Sequence, residues 1–367
     1  MSIEFLQRRI SRPASLNGAR KTCPTNNLNS LAARTGFSVS AHWPILFIFC
    51  FLVTPLADAA LYKCTDAKNR LFYQDKPCQD LTTEKLPSHL SQLSGKSEKR
   101  FFLWKAAGAK GNAYLLGSVH FGSQEWYPLP ARITETFKSS DVLVVEANAN
   151  NLQSSDAAKK LTQLASYSEG TNLEEHVKPA TWRRLMEKAK KLGVAEEKLR
   201  PQKPWLAMLT LTAEALKQAG YSPELGIDQS FIRETGTQKP VIEMESVELQ
   251  LQLFDKLTPQ EQEQMLLQSL QELDRGVEIF KEIEKAWKNG DSEAIDLITR
   301  QSFDSGPVGS KLYKIIFEER NTAMTNKIDE LMQDGRTYFI VVGAAHLAGD
   351  QGILKQLETK GYRVTQP

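Results

Sequence analysis

Two stretches far apart in the chain share one pattern, "YLLGSVHFGS" at 114–123 and "FIVVGAAHLAG" at 339–349. Each is an apolar run, then glycine, two small or apolar residues and histidine. The chain has 367 residues and only five histidines, and His120 and His346 are two of them. Apolar runs of this length that stop at glycine predict buried strands. In open α/β sheets ligands bind beyond the carboxyl ends of the strands. The repeated Gly-x-x-His therefore predicts two histidines delivered from two strands to one site. Glycine at 117 and 343 is expected to let the chain turn sharply there.

Other segments fit the same sheet. "FFLWKA" and "NAYLLG" flank "AGAKG" as a hairpin, and "DVLVVEA", "KPVIEME" and "RTYFIVVG" read as buried strands. "GYRVT" reads as a last edge strand. Between them the period turns helical. "ATWRRLMEKAKKLG" and "PWLAMLTLTAEALKQAG" each stop on a glycine, and Thr258-Pro259-Gln260-Glu261 is a capping box with proline at the first helical position. Asp291 is placed to cap a further helix, and "LYKIIFEERNTAMTNKIDELMQDG" predicts one long amphipathic helix. Strands at both ends with a helical middle insertion predict an α/β or α+β domain over residues 100–367.

The segment before that domain reads differently. "HWPILFIFCFLVTPLADAA" has an apolar core of about 14 residues, short for a membrane span, followed by a small-x-small cleavage pattern. Residues 1–60 are thus expected to be a leader and signal peptide, with a start near Leu31 leaving a leader of ordinary length. They hold six Lys/Arg and two Asp/Glu, so the formal charge of +2 for the whole chain becomes about −2 for residues 61–367. That balance argues against nucleic acid as a partner. Export implies a periplasmic or secreted protein without a stable membrane anchor. Cys64 and Cys78 are the two cysteines left after cleavage, and they flank a hairpin-like stretch at 61–80. A bridge closing a loop of about 15 residues would contribute roughly 3 kcal/mol in the chain-entropy model. The rival readings, a metal or redox pair, lack Cys-x-x-Cys spacing. Residues 81–99 read as a linker.

The strand ends carry the chemistry. Glu146 ends "DVLVVE" and Glu245 ends "KPVIEME", so two imidazoles and two carboxylates are expected at one edge. Glu243 shares a face with Glu245 and is its rival. Imidazole and carboxylate together suit zinc, manganese, iron or cobalt. A bound ion would lower the pKa of a water, and a spare glutamate would serve as general base. Ser118 and Ser123 beside His120 leave a serine nucleophile open. Arg320, with Asn321 on the helix before the last histidine strand, is placed to steer a substrate carboxylate. His89 and His176 are expected in solvent, and Trp126, Trp182, Trp205 and Trp287 in the core. No His-Glu-x-x-His, Gly-x-Ser-x-Gly or P-loop is present.

These residues bring a resemblance with them. "LYKCTDAKNRLFYQDKPC" resembles a small domain found at the start of many bacterial envelope proteins, with Asn69 where glycine is common. Residues 100 to 366 resemble the TraB/GumN family, which includes the TIKI proteases. The match rests on "YLLGSVHFGSQEWYPLPARITETFKSSDVLVVEAN", "LGIDQSFIRETGTQKPVIEMESVELQLQLFDKLTPQEQEQML", "WKNGD", "ERNTAM" and "YFIVVGAAHLAGDQGILKQLETKGYRV". The resemblance implies a metal-dependent peptidase favouring manganese or cobalt. Its motif residues fall here on His120, Glu146 and His346, with His120, His346 and Glu146 as metal ligands. Glu146, Glu245, Arg320 and Asn321 are the implied catalytic set, and Arg320 and Asp228 the implied substrate contacts. "IEMES" departs from the family's usual leucine-glutamate-threonine around Glu245. The expected function is divalent-metal-dependent hydrolysis of a peptide or protein in the cell envelope. The alternative is a non-catalytic periplasmic protein that sequesters a peptide, metal or haem. A third reading is an envelope interaction protein that docks through the N-terminal hairpin.

Overall fold

The apolar runs become the strands of one sheet. In a computed structural model of the chain, the described residues are 62–65, 71–74, 84–85, 101–148, 155–236, 238–304 and 307–367. The main sheet has six strands: β1 (Leu103–Ala107), β2 (Asn112–Ser118), β3 (Val142–Val145), β4 (Val241–Glu243), β5 (Thr337–Gly343) and β6 (Arg363–Thr365). Their spatial order is β4-β3-β5-β2-β1-β6. β2 and β5, which carry the twin motif, are parallel neighbours, with Gly117 opposite Val342 and Ser118 opposite Gly343. β3 pairs in parallel with β5 on its other side, and β4 with β3. Only β1 runs against its neighbours, β2 and the edge strand β6. The carboxyl ends of β2, β3, β4 and β5 therefore share one edge.

Burial explains the order. All four residues of β3 and six of the seven in β5 are buried, as expected for strands covered on both faces. Two helices, α1 (Ala131–Ser139) and, further along, Ile227–Thr235, press aromatic rings onto β5. Phe137 and Phe231 lie 5.4 and 5.0 Å from Phe339, and 4.9 Å from each other, in edge and tilted contacts. Burying one such ring contributes about 1.5–3 kcal/mol.

The helical middle follows the punctuation in the sequence. α2 (Pro179–Lys191) and α3 (Pro204–Gln218) end before Gly193 and Gly220, both at positive φ. Ile227–Thr235 is α4, and a short α5 (Val247–Gln252) follows β4. The 31-residue α6 (Pro259–Asn289) opens with the full Thr258–Glu261 capping box. α7 (Ser292–Phe303) starts on Asp291, whose side chain accepts from the Ala294 amide. Trp126, Trp182, Trp205 and Trp287 are buried, and His176 is exposed.

The long helix expected over 312–335 is present, running unbroken from residue 307 to Leu331, but it carries a π turn. Pro307–Tyr313 is α-helical, Lys314–Glu318 is a π turn, and α8 (Glu319–Leu331) resumes the α pitch. The extra residue of the π turn shifts the buried face, with Ile315, Ile316 and Phe317 buried in succession. π turns concentrate at functional sites, and this one ends two residues before Arg320.

Three short strands, Tyr62–Thr65, Leu71–Gln74 and Glu84–Lys85, pair antiparallel among themselves. Cys78, the leader and the linker over 86–99 lie outside the described residues, as do the side chains around Cys64. Among the described residues no helix is long and apolar enough to cross a membrane.

Candidate functional site

The register of β2 and β5 fixes where the two histidines start. Each strand ends at the same level, and three residues after Gly117 and Gly343 come His120 and His346. Neither glycine has a positive φ, so no left-handed turn is made there, but the freedom from a Cβ clash expected of them is needed. A Cβ on Gly117 would stand 2.2 Å from the Phe102 ring. A Cβ on Gly343 would stand 3.3 Å from Glu146 Oε1, 3.4 Å from His346 Cδ2 and 3.5 Å from His120 Nε2. Three functional side chains from three strand ends thus face one small space that a glycine keeps open.

The loops behind the first histidine are zipped together. Gly122 and Ser222 exchange two backbone hydrogen bonds of 2.9 Å, and the Ile227 amide donates to the Val119 carbonyl. Tyr127 Oη donates to the Leu225 carbonyl. Gly122 and Gly226 are needed for this approach, since Cβ atoms there would meet the carbonyls of Leu225 and His120 at 1.8 and 2.3 Å. From behind, Trp287 Nε1 on α6 donates to the Gly117 carbonyl at 2.6 Å. This packing sets Asp228, in the first turn of α4, against His120, with Oδ1 3.2 Å from Nδ1. Burial pushes the His120 imidazole down, but the carboxylates of Asp228 and Glu146 together outweigh it and hold the ring above its ordinary pKa.

The second histidine has different company. His346 Nδ1 lies 2.6 Å from Asn321 Oδ1, and Asn321 Nδ2 donates to the Gln351 carbonyl, which fixes the amide's orientation. Arg320 Nη1 lies 3.1 Å from His346 Nε2. Because the guanidinium can only donate, Nε2 carries the lone pair and Nδ1 the proton. Burial, with Arg320 adding repulsion, lowers the His346 pKa to about 3, so this ring is neutral near pH 7.

Arg320 is a hub rather than an open hand. It is 5% exposed. Its Nε and Nη2 donate to Glu245, Nη2 also donates to Glu146 Oε2 at 3.0 Å, and Nη1 donates to the Ile316 carbonyl in the π turn. The donors expected to steer a substrate carboxylate are turned here on the protein's own carboxylates. Glu146 receives a further hydrogen bond from the Gly343 amide. Burial raises the Glu146 pKa, while the imidazole of His346, the Arg320 guanidinium and His120 lower it to about 2. With His346 neutral near pH 7, Arg320 carries most of that attraction there.

The structure thus brings together His120, His346, Glu146, Glu245, Arg320, Asn321 and Asp228. It does not bring Glu243, whose Oε2 accepts from the Asn148 amide at 2.9 Å. It adds Gln250, which is 3% exposed and donates through Nε2 to both Glu146 and Glu245 at 3.3 Å. One signal for Gln250 stands in the sequence: Ser246 caps α5 immediately after Glu245, which places residue 250 one turn along and over the strand end. A cavity at this edge is lined by Ser118, His120, Glu146, Asp228 and Gln250 over Val145, Ala147 and Val341.

No group of three or more His, Cys, Asp or Glu side chains stands drawn together as a metal cluster among the described residues. Parts of the donor chemistry suit an ion, although the lone pair of His346 Nε2 is taken by Arg320 Nη1, which would have to release it. Both imidazoles are held through Nδ1 by an amide or carboxylate oxygen, the support that metal-bound histidines carry. His346 Nε2 and Glu146 Oε1 are 3.7 Å apart. Two ligands at about 2.0–2.2 Å from one ion span such a distance.

The fold is a mixed α/β one, with two histidines, two glutamates and a buried Arg-Asn pair gathered at the carboxyl edge of a six-stranded mixed sheet. The chain belongs to the TraB/PrgY/gumN family, whose model matches residues 102–366. It is 28% identical over 247 residues to "Uncharacterized protein YbaP" of Shigella flexneri, covering 67% of this chain and 88% of that relative. The protein of the same name in Escherichia coli strain K12 is 28% identical over 245 residues, covering 66% and 87%. No solved structure matches the chain significantly.

Proposed function

We infer that the chain is a divalent-metal-dependent hydrolase that acts on peptide bonds in the cell envelope. The observation that carries this reading is the convergence of His120 Nε2, the His346 ring edge and Glu146 Oε1 on the space above Gly343. His120, His346 and Glu146 would hold the ion, with manganese or cobalt favoured and zinc as the other candidate. Bound there, it would lower the pKa of a water and so supply a nucleophile near neutral pH.

The chain's own residues do the preparing. Asp228 and Asn321 fix the two rings through Nδ1. Arg320 and Gln250 hold Glu146 against Glu245, so the carboxylate stays ionised while buried. A carboxyl held at about 2 is a weak proton acceptor near pH 7, which favours Glu146 as ligand over Glu146 as base. The peptide substrate rests on the family resemblance, and the envelope location on the leader and the two cysteines.

The test is metal stoichiometry and turnover together. The purified protein should retain or take up Mn²⁺, Co²⁺ or Zn²⁺ at one ion per chain and cleave members of a peptide library in a chelator-sensitive way. His120→Asn and His346→Asn should each lose both properties. Protein that binds none of these ions sinks the reading. One ion per chain with no turnover on any peptide would make the chain a non-catalytic binding protein instead.

A further inference from the structure

The cavity beside His120 holds more than the metal reading uses. Asp228 is 6% exposed and spends only Oδ1 on His120; its Oδ2 is buried without a protein partner. Ser118, 3% exposed, has a buried Oγ that also lacks one. Both residues line the same cavity. A buried carboxylate oxygen left unpaired costs about 1–3 kcal/mol or more, which native structures rarely tolerate without an occupant. Sequence position explains how the two meet: Ser118 closes β2, and the Val119–Ile227 backbone bond brings the first turn of α4 alongside it.

The charge around this pole selects the occupant. Two carboxylates line the cavity: Glu146 is paired with Arg320, and Asp228 gives one oxygen to His120, which leaves Asp228 Oδ2 as the open anionic acceptor. Hydroxyl and carboxylate oxygens both accept, and a buried carboxylate bonds most strongly to a charged donor. Val145, Ala147 and Val341 complete the lining as its apolar side, and the space left is small, on the scale of a single polar head group.

We propose that Ser118 Oγ and Asp228 Oδ2 form a subsite for a primary ammonium group, the free amino terminus of a short peptide. This deepens the hydrolase reading by making the preferred substrate one with an unblocked amino end. It concerns binding alone, so it stands or falls separately from the reaction.

NMR titration of the full-length protein as purified, with alaninamide against N-acetylalaninamide, reads the subsite without peptide-bond cleavage. Alaninamide should bind at least 10-fold more tightly than the acetylated form. Ser118→Ala, which leaves the His120–Asp228 pair in place, should reduce that ratio several-fold, and Asp228→Asn should abolish it. Equal affinity for the two probes overturns the proposal, as does a ratio unchanged in both variants. A protein that prefers alaninamide yet hydrolyses no peptide keeps the subsite and loses the hydrolase reading. One that cleaves free and acetylated peptides alike, with no preference between the two probes, does the reverse.

Discussion

His120 and His346 leave neighbouring parallel strands after the same three-residue step, yet the two arms are built differently. The first glycine makes room for Phe102, and the second makes room for the side chains of the site itself. The first imidazole leans on a carboxylate and sits above its ordinary pKa; the second leans on an amide, faces a guanidinium and sits near 3. One sequence pattern has therefore produced one ring inclined to hold a proton and one that refuses it. What a motif delivers to a site is position; its protonation is set by neighbours from elsewhere in the chain.

The largest effect should come from the cation that separates the arms. Arg320→Met leaves Glu146 and Glu245 buried without their counter-ion, and loss of roughly 3–5 kcal/mol is expected in urea unfolding. His346 should become more basic in the same variant. A loss below about 1 kcal/mol would mean that the ion-pair hub contributes little.

Exchanging the glycine roles comes next. Gly117→Ala drives a methyl group into the Phe102 ring and should cost about 1–3 kcal/mol through overpacking. Gly343→Ala meets its neighbours at 3.3–3.5 Å and should cost less, while metal binding falls sharply. Equal stability losses with metal content intact in both would erase the distinction between the arms.

The pH dependence of metal-free protein sharpens the comparison further. His346 has a folded pKa depressed below its unfolded value near 6.5, so its contribution is present above that pH and lost as pH falls towards 3. His120 has the opposite sign, with its contribution present below about 6.5 and lost as pH rises through its raised folded pKa. Glu146 adds a further loss on acidification only below about 4.5, continuing to about 2. Between pH 6.5 and 4.5, stability should therefore fall by up to roughly 1.4 kcal/mol per pH unit through His346. His346→Gln should flatten that window, and an unchanged slope in the variant would count against a buried neutral ring.

The smallest effect is the most specific. Asn321→Asp gives the second ring a carboxylate like the first, and its pKa should rise by roughly 1–3 pH units by NMR titration. Asp228→Asn should lower that of His120 by a similar amount. Rings that do not respond to these exchanges would refute the account of what distinguishes them.

Much of this arrangement could be read in the residues. The strands, the helix stops and the Thr258–Glu261 cap were legible because each depends on neighbours close in sequence. So was the gathering of His120, Glu146, Glu245 and His346, since strand ends of a parallel sheet share an edge. The role of Arg320 was not, because two glutamates that take up its donors lie 75 and 174 residues away. The π turn was not read either, because a run of three apolar residues, Ile315 to Phe317, passes equally for the core face of an ordinary helix. That Gly343 must lack a Cβ was legible, but not that the space it leaves faces Glu146, His120 and His346.

The strand order has a consequence for how the chain is made. β5 is the second-last strand to be synthesised, yet it is the middle of the sheet and the partner of both β2 and β3. Until residues 337–343 arrive, the hairpin of β1 with β2 and the pair β3 with β4 each present an unsatisfied inner edge, with no direct ladder between them. Such long-range parallel pairing is slow, and waiting edges invite wrong partners. A ribosome releasing this chain from its amino end thus delivers the keystone almost last. A chain that stops before Thr337 has two half-sheets and no way to join them.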